Sequence, residues 1–295
     1  MSNTASKILV PVGFSEQSIV AMGQAMNLAK IKNSEVILLS VIEDRNSMFD
    51  ILVSNEMEEE KIKNRVLVKL NEIASEYSEK YGVQVETLVA KGSVYDKICE
   101  VADMMSVDLI VMGTNGAPKG IAKKFIGSNA EKVVRSAKCP VVTIKGKNHK
   151  DGCDNIILPL DLEKETKEKV SYALEYARYW NATVRIVSVV LKDNTEIKNH
   201  LQNNLKLVET FITKAGVECT AELLVAEKKI SLSEAVLEYE KRFESDLIMI
   251  MTKKEGSFSD SLSVTARTLI YNSEIPVMSI HPKARIHRTK SSTSF

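Results

Sequence analysis

The residues best placed to do chemistry lie in one stretch, Val107 to Ser128, VDLIVMGTNGAPKGIAKKFIGS. Gly113 and Gly116 follow the apolar run Leu109–Met112, and a second small pair, Gly127-Ser128, precedes a helical pattern over Ala130–Ser136. Strand, glycine loop and helix in that order cradle phosphate. Glycine lets the backbone approach, free amides point at the anion, and the helix dipole favours negative charge. A turn that merely needs two glycines explains G-x-x-G about as well, so the motif alone is weak. Other chemistries are not signalled. Cys99, Cys139, Cys153 and Cys219 are scattered without metal-like spacing, and Cys99 and Cys139, in apolar contexts, read as buried thiols. His149, His200, His281 and His287 fall on linker, helix or tail positions, none beside a candidate nucleophile. No metal site and no catalytic triad is expected.

The elements that must position this stretch alternate strand and helix. Lys7–Val12 (KILVPV) is a buried-strand pattern, Ser15 is a candidate N-cap, and Gln17–Lys30 has apolar residues at helical spacing. Val36–Ile42 is a second strand and Glu43–Ser54 a polar connection containing Met48 and Phe49. Glu56–Tyr81 is a long amphipathic helix with Ile62, Val66, Leu70, Ile73 and Tyr77 on one stripe, closed by Gly82. Gln84–Ala90, Ser93–Met105 and Val141–Ile144 supply the third strand, third helix and fifth strand. This alternation implies α/β architecture, a parallel sheet with helices on both faces.

After the linker Gly146–Asp154 the pattern restarts. Ile156–Leu160 answers Ile8–Val12, Val184–Val189 answers Val36–Val41, and Leu224–Ala226 answers Leu88–Ala90. Asp246-Leu247-Ile248 answers Asp108-Leu109-Ile110, and Ile275-Pro276-Val277 answers Cys139-Pro140-Val141. The chain is an internal duplication at domain scale. The expected divisions are 1–147, 154–284 and a disordered basic tail over 285–295.

Composition narrows the partners. The 295 residues are 44% hydrophobic, enough for sizeable cores, and 40 Lys+Arg against 39 Asp+Glu give no global pull toward nucleic acid or anionic membrane. No apolar stretch approaches a membrane span, and Met1–Ser6 is too polar for a signal peptide, so a cytoplasmic protein is expected.

ILVPVGFSEQS, VAKGSVYDKI, DLIVMGTNG, FIGSNAEKVV and CPVVTI together resemble the universal stress protein family, over nearly the whole chain as two copies. The resemblance implies two doubly wound five-stranded parallel sheets of order 3-2-1-4-5, packed as a pseudo-dimer. The last strands, Val141–Ile144 and Val277–Ile280, would pair between halves set face to face. Such an order places the ligand crevice between strands one and four, at their carboxyl ends. Nucleotide-binding members resemble G-x-x-G, nine residues, then G-[ST], matched in type by Gly113, Gly116, Gly127 and Ser128. Pro11, Val12 and Val41 would wall base and ribose, with Gly13 and Met112 at the strand ends.

Two departures stand out. Ala117–Ile126 is ten residues rather than nine, and Gly13 stands where binding members carry an Asp. A missing carboxylate removes a charge-assisted hydrogen bond of roughly 1.5–3 kcal/mol, or about ten- to a hundredfold in affinity. The second half departs oppositely. It restores the carboxylate as Asp161 but replaces the glycine loop by Met251-Thr252-Lys253-Lys254, and Ser263-Val264 stand where Gly127-Ser128 stood. That half reads as a degenerate, empty copy.

The leading expectation is a stress-response regulator that binds an adenine nucleotide, ATP or AMP, in its first half, with Mg2+ only alongside ATP. The rival is a nucleotide-free protein-interaction module, whose duplication builds a surface; a homodimer and a protein partner fit either. An enzyme such as a nucleotide hydrolase is the third reading. Against it, Gly113–Gly120 does not supply the P-loop G-x-x-x-x-G-K-[ST], and no acid/base pair accompanies the loop.

Overall fold

A computed structural model of the chain describes residues 5–43, 56–114, 127–145, 150–160, 166–191, 195–226, 230–252 and 262–282. The first half runs β1 (Lys7–Pro11), α1 (Glu16–Lys32), β2 (Glu35–Ile42), α2 (Glu56–Tyr81), β3 (Val85–Lys91), α3 (Val94–Met104), β4 (Leu109–Gly113), α4 (Ser128–Ser136) and β5 (Val141–Ile144). The second repeats it as β6 (Asn155–Pro159), α5 (Thr166–Trp180), β7 (Thr183–Leu191), α6 (Thr195–Lys214), β8 (Cys219–Ala226), α7 (Leu232–Arg242), β9 (Leu247–Met251), α8 (Val264–Asn272) and β10 (Val277–Ile280). The expected tail, and with it Met48, Phe49, Gly116, Asp161, Lys253 and Lys254, lies outside the described residues.

Local chemistry sets the boundaries. The Ser15 hydroxyl accepts the Ser18 amide at 3.2 Å and starts α1, while Gly82 at φ 68° ends α2 by leaving the helical region. In α2 the expected stripe holds where the sheet lies beneath it: Leu70 is fully buried, Ile73 and Tyr77 half-buried. Its N-terminal end differs, for Ile62 is exposed and residues 57–65 all face solvent.

Strand order is β3-β2-β1-β4-β5-β10-β9-β6-β7-β8 in one ten-stranded sheet. Each half therefore has order 3-2-1-4-5, all parallel within itself. The central strands are continuous apolar runs because helices cover both faces. Ile8, Val10, Val36 and Leu109 pack under α1 and α2; Leu9, Ile37, Ile110 and Val141 pack under α3 and α4. The repeated Asp of the DLI triplets has a structural task in each copy. Asp108 Oδ2 accepts the Lys7 amide at 2.9 Å, and Asp246 Oδ2 accepts the Asp154 and Asn155 amides at 2.7 and 2.9 Å.

The halves meet edge to edge rather than face to face. β5 and β10 pair antiparallel, Val277 opposite Thr143, Met278 opposite Val142 and Ser279 opposite Val141. Each half's fifth strand would otherwise present unpaired backbone to solvent, and this pairing removes both edges at once. Around the seam, Lys32 reaches Glu175 at 3.3 Å and stands over the rings of Tyr176 and Tyr179.

Candidate functional site

Pairing between β1 and β4 is short: only Ile8 with Leu109 and Leu9 with Ile110, although both strands continue. Beyond that point they diverge while each stays bonded on its outer side, Pro11 opposite Leu39 and Gly113 opposite Ile144. The divergence opens a crevice at the carboxyl ends, as the strand order demands. Pro11, Val12, Met112 and Gly113 stand on its two sides, with Gly13 exposed at the mouth.

The expected wall residues split between the sheet's faces. Val41 and Met112 belong to the cluster under α3 and α4, but Val12 turns its side chain into the cluster beneath α1 and α2. Val12 therefore offers the crevice its backbone, whose amide is already bonded to the Leu39 carbonyl at 2.8 Å. Gly113 carries no side chain because the first turn of α1 crosses its end of β4 at contact distance. That packing accounts for this glycine without a ligand. Gly13 has ordinary backbone, and it is the bulky Phe14 beside it that takes the left-handed conformation, at φ 56°. Lys69 of α2 stands over the Phe14 ring, 4.6 Å from its centre.

At the crevice rim the two halves can be compared atom by atom. The Thr114 amide donates to Ile144 and the Thr114 carbonyl accepts from Gly127; in the second half Thr252 donates to Ile280 and accepts from Ser263. Glu131 bonds back to Gly127 as Arg267 does to Ser263. Gly127 and Ser263 are thus equivalent, as counting back from the Pro predicts, and both are helix N-caps with nearly the same backbone, φ −58° and −59°.

Their chemistry differs. Ser263 Oγ accepts the Ala266 amide at 3.1 Å and closes the end of α8, whereas the α4 cap is Gly127, which has no side chain to do so. Ser128, exposed at the head of α4, is replaced by Val264, which is 80% exposed. The buried Thr114 hydroxyl has no hydrogen-bond partner among the described residues, while that of Thr252 bonds to the Ile280 carbonyl and the His281 ring. In α4 the Ala130 amide bonds instead to the Gly127 carbonyl at 3.0 Å, and a helix start without a side-chain cap is the more open of the two to an anion.

Residues the sequence reading did not single out tie α4 to the second half. The Tyr271 hydroxyl donates to Glu131 Oε2, and Arg267 Nη2 lies 3.1 Å from Glu131 Oε1. That hydrogen bond to Glu131 is the main reason the Tyr271 phenol is raised above its usual range, and the phenol keeps its proton. His281 Nε2 donates to the Val134 carbonyl at 2.6 Å. The thiols of Cys99, Cys139 and Cys219 are pushed up to about 11, 12 and 12 by burial, and Cys153 further still, so they stay protonated at neutral pH. Among the described residues no group of three His, Cys, Asp or Glu could hold a metal, and no helix is long and apolar enough to cross a membrane.

Two concavities among the described residues lie elsewhere. A cavity of about 40 Å3 at the seam is lined by Leu28, Ile144, Tyr176, Trp180 and Met278, and a shallow one by Asp103, Ser106, Lys138 and Cys139. Both sit away from the crevice, whose sequence neighbours 115–126 lie outside the described residues.

Comparisons with known proteins agree with this anatomy. A universal stress protein of Methanocaldococcus jannaschii is 33% identical over 150 residues, 48% of this chain and 84% of its own. Universal stress protein YxiE of Bacillus subtilis is 31% identical over 147 residues, 48% of this chain and 99% of its own. Each match thus spans about half of the chain. Over the whole chain, the crystal structure of a universal stress protein from Archaeoglobus fulgidus superposes with a TM-score of 0.76 at 21% identity, covering 93% of this chain and 98% of that one. A functionally unknown protein from Pseudomonas aeruginosa superposes at 0.70 and 18% identity, covering 95% of each. Both likenesses speak for the fold alone. The family model for universal stress proteins matches twice, over residues 4–145 and 152–281. With each match falling on one half of the ten-stranded sheet, the chain belongs to the universal stress protein family and carries its domain in tandem.

Proposed function

We propose that this chain is a stress-response regulator that binds an adenine nucleotide, ATP or AMP, in its first half only. The observation that carries this is the inequality of two equivalent helix ends. α4 opens on uncapped Gly127, while α8 is closed by Ser263. Phosphate would take the amides at Ser128 and Asn129, with Gly113 on the opposite rim and Pro11, Val41 and Met112 beside the base; Gly127, whose amide already bonds the Thr114 carbonyl, would offer close approach, and Gly116 is assigned to the phosphate by the family resemblance alone. Gly13 and Val12 contribute backbone at the strand-one end. Mg2+ would enter only with ATP, bound to its phosphates. In this reading residues 1–147 form the binding domain, 154–284 a degenerate copy and 285–295 a tail, in a cytoplasmic protein.

A second reading keeps one specific support. Gly113 is explained by its contact with α1, and Gly13 offers no carboxylate, so a nucleotide-free interaction module fits the same crevice. Mass spectrometry of small molecules released from denatured protein, followed by titration, separates the two. Gly127→Val should abolish the thermal shift with ATP, because a branched side chain fills the phosphate path, and Lys253→Ala should leave it unchanged. The reverse pattern would move the site to the second half.

A further inference from the structure

We propose that the second half holds the phosphate-binding helix of the first in position, through Arg267 and Tyr271 acting on Glu131 and through His281 acting on the Val134 carbonyl. The inference rests on the nucleotide reading above and adds to it a set of positioning residues supplied by the other copy.

α4 has few attachments of its own. It has nine residues, of which Ala130, Val133 and Val134 are buried, and Lys132 stands over the Tyr95 ring. Its N-cap is tied within its own half by the Gly127 amide on the Thr114 carbonyl, and the helix packs on α3; the side-chain ties of Glu131 and the contact at the Val134 carbonyl cross the seam. Both carboxylate oxygens of Glu131 are engaged by the second half, one by the Tyr271 hydroxyl and one by Arg267 at 3.1 Å. One turn further on, His281 grips the Val134 carbonyl, and its other ring nitrogen lies 3.2 Å from Thr252 Oγ1 at the end of β9.

The pairing depends on the two copies having diverged. Glu131 and Arg267 occupy equivalent places, each four residues past its helix cap. Across a true twofold axis those places would carry the same charge, and like charges would face each other. In this chain they carry opposite charges and pair. Phosphate recognition by backbone amides needs donors within about 2.7–3.2 Å of the oxygens, so a shift of roughly 0.5 Å in α4 weakens it. A side-chain clamp on the first turns is therefore felt at the helix end.

Calorimetric titration of the full-length chain, metal-free, with ATP and separately with inorganic pyrophosphate, tests this. Arg267→Gln and Tyr271→Phe should each weaken both ligands about three- to tenfold, and together by less than the product, since they act on one carboxylate. Glu131→Gln, which keeps the side chain's shape, reads the same clamp should either variant fold poorly. Lys32→Met breaks a cross-half contact on the opposite face of the sheet, and should lower the melting temperature without changing affinity. Unchanged affinity in the Arg267 and Tyr271 variants, or an equal loss in Lys32→Met, would overturn the inference while leaving nucleotide binding standing. Wild-type protein that binds neither ligand would remove the binding reading and this inference with it.

Discussion

A methyl group placed on Gly113 would stand 3.1 Å from the carbonyl carbon and oxygen of Gln17. The neighbour is helix backbone, which yields little, so Gly113→Ala should destabilise the ligand-free protein by about 1–3 kcal/mol. Urea unfolding without nucleotide would read this directly. An unchanged midpoint would mean that α1 retreats freely and that some other need keeps this glycine.

Gly127→Ser copies the second half into the first. The backbone there already matches that of Ser263, so the new hydroxyl should cap α4 as Ser263 caps α8. The ligand-free protein should gain a few tenths of a kcal/mol, roughly the difference between Ser and Gly caps. ATP should bind more weakly, because the new side chain would stand at the helix end where the phosphate would approach. Opposite signs in the melt and the titration are the expected signature; a cap that stabilises and leaves ATP affinity intact would place the phosphate elsewhere.

Gly13→Asp should fold normally. A Cβ there meets no atom of the described residues within 4 Å, and the backbone is not in the left-handed region. The restored carboxylate should tighten ATP about ten- to a hundredfold, adding roughly 1.4–2.7 kcal/mol of ligand-linked stability. Should the variant melt normally and still ignore ATP, the extra residue in Ala117–Ile126 becomes the fault, and the interaction module becomes the better account.

Glu240 sets a pH dependence far from the crevice. Its buried carboxylate accepts from the Ser273 hydroxyl and the Glu274 amide, both at 3.0 Å, yet burial outweighs these bonds and raises its pKa. A raised acid favours the protonated form on folding. Its contribution is complete below the unfolded value of about 4.3 and is lost as pH rises through the folded value. Glu240→Gln should lack this loss, so wild type should fall behind the variant as pH rises above the unfolded carboxyl value. Urea unfolding of both proteins as a function of pH decides it, and a gap that stays constant with pH would contradict the assignment.

Strand and helix positions were legible because parallel strands buried on both faces are continuous apolar runs, which flanking turn residues set off. The equivalence of Ser263 and Gly127 was legible too, because Pro276 and Pro140 fix the count. The seam was not. Tyr271 and Glu131 are 140 residues apart, and His281 meets Val134 across 147. No local pattern encodes such pairs, and a histidine at the end of the last strand looks like the start of a tail. The left-handed turn after β1 also escaped. A glycine is the residue that favours such a conformation, and Gly13 is adjacent, but the structure places it at Phe14, which is half-buried and has Lys69 of α2 over its ring. Long-range packing can hold a bulky residue where its own preference would not.

The β5–β10 ladder has a consequence for how the protein responds to concentration. Two separate chains joined along such strands would obey mass action and come apart on dilution. Here both strands belong to one chain with a short connection between the copies, so the local concentration of one for the other is set by the linker and not by the cell. Scarcity of the protein leaves this seam closed, and subunit exchange with relatives of similar strand chemistry is blocked at that edge. The pair of copies therefore stays matched at any expression level.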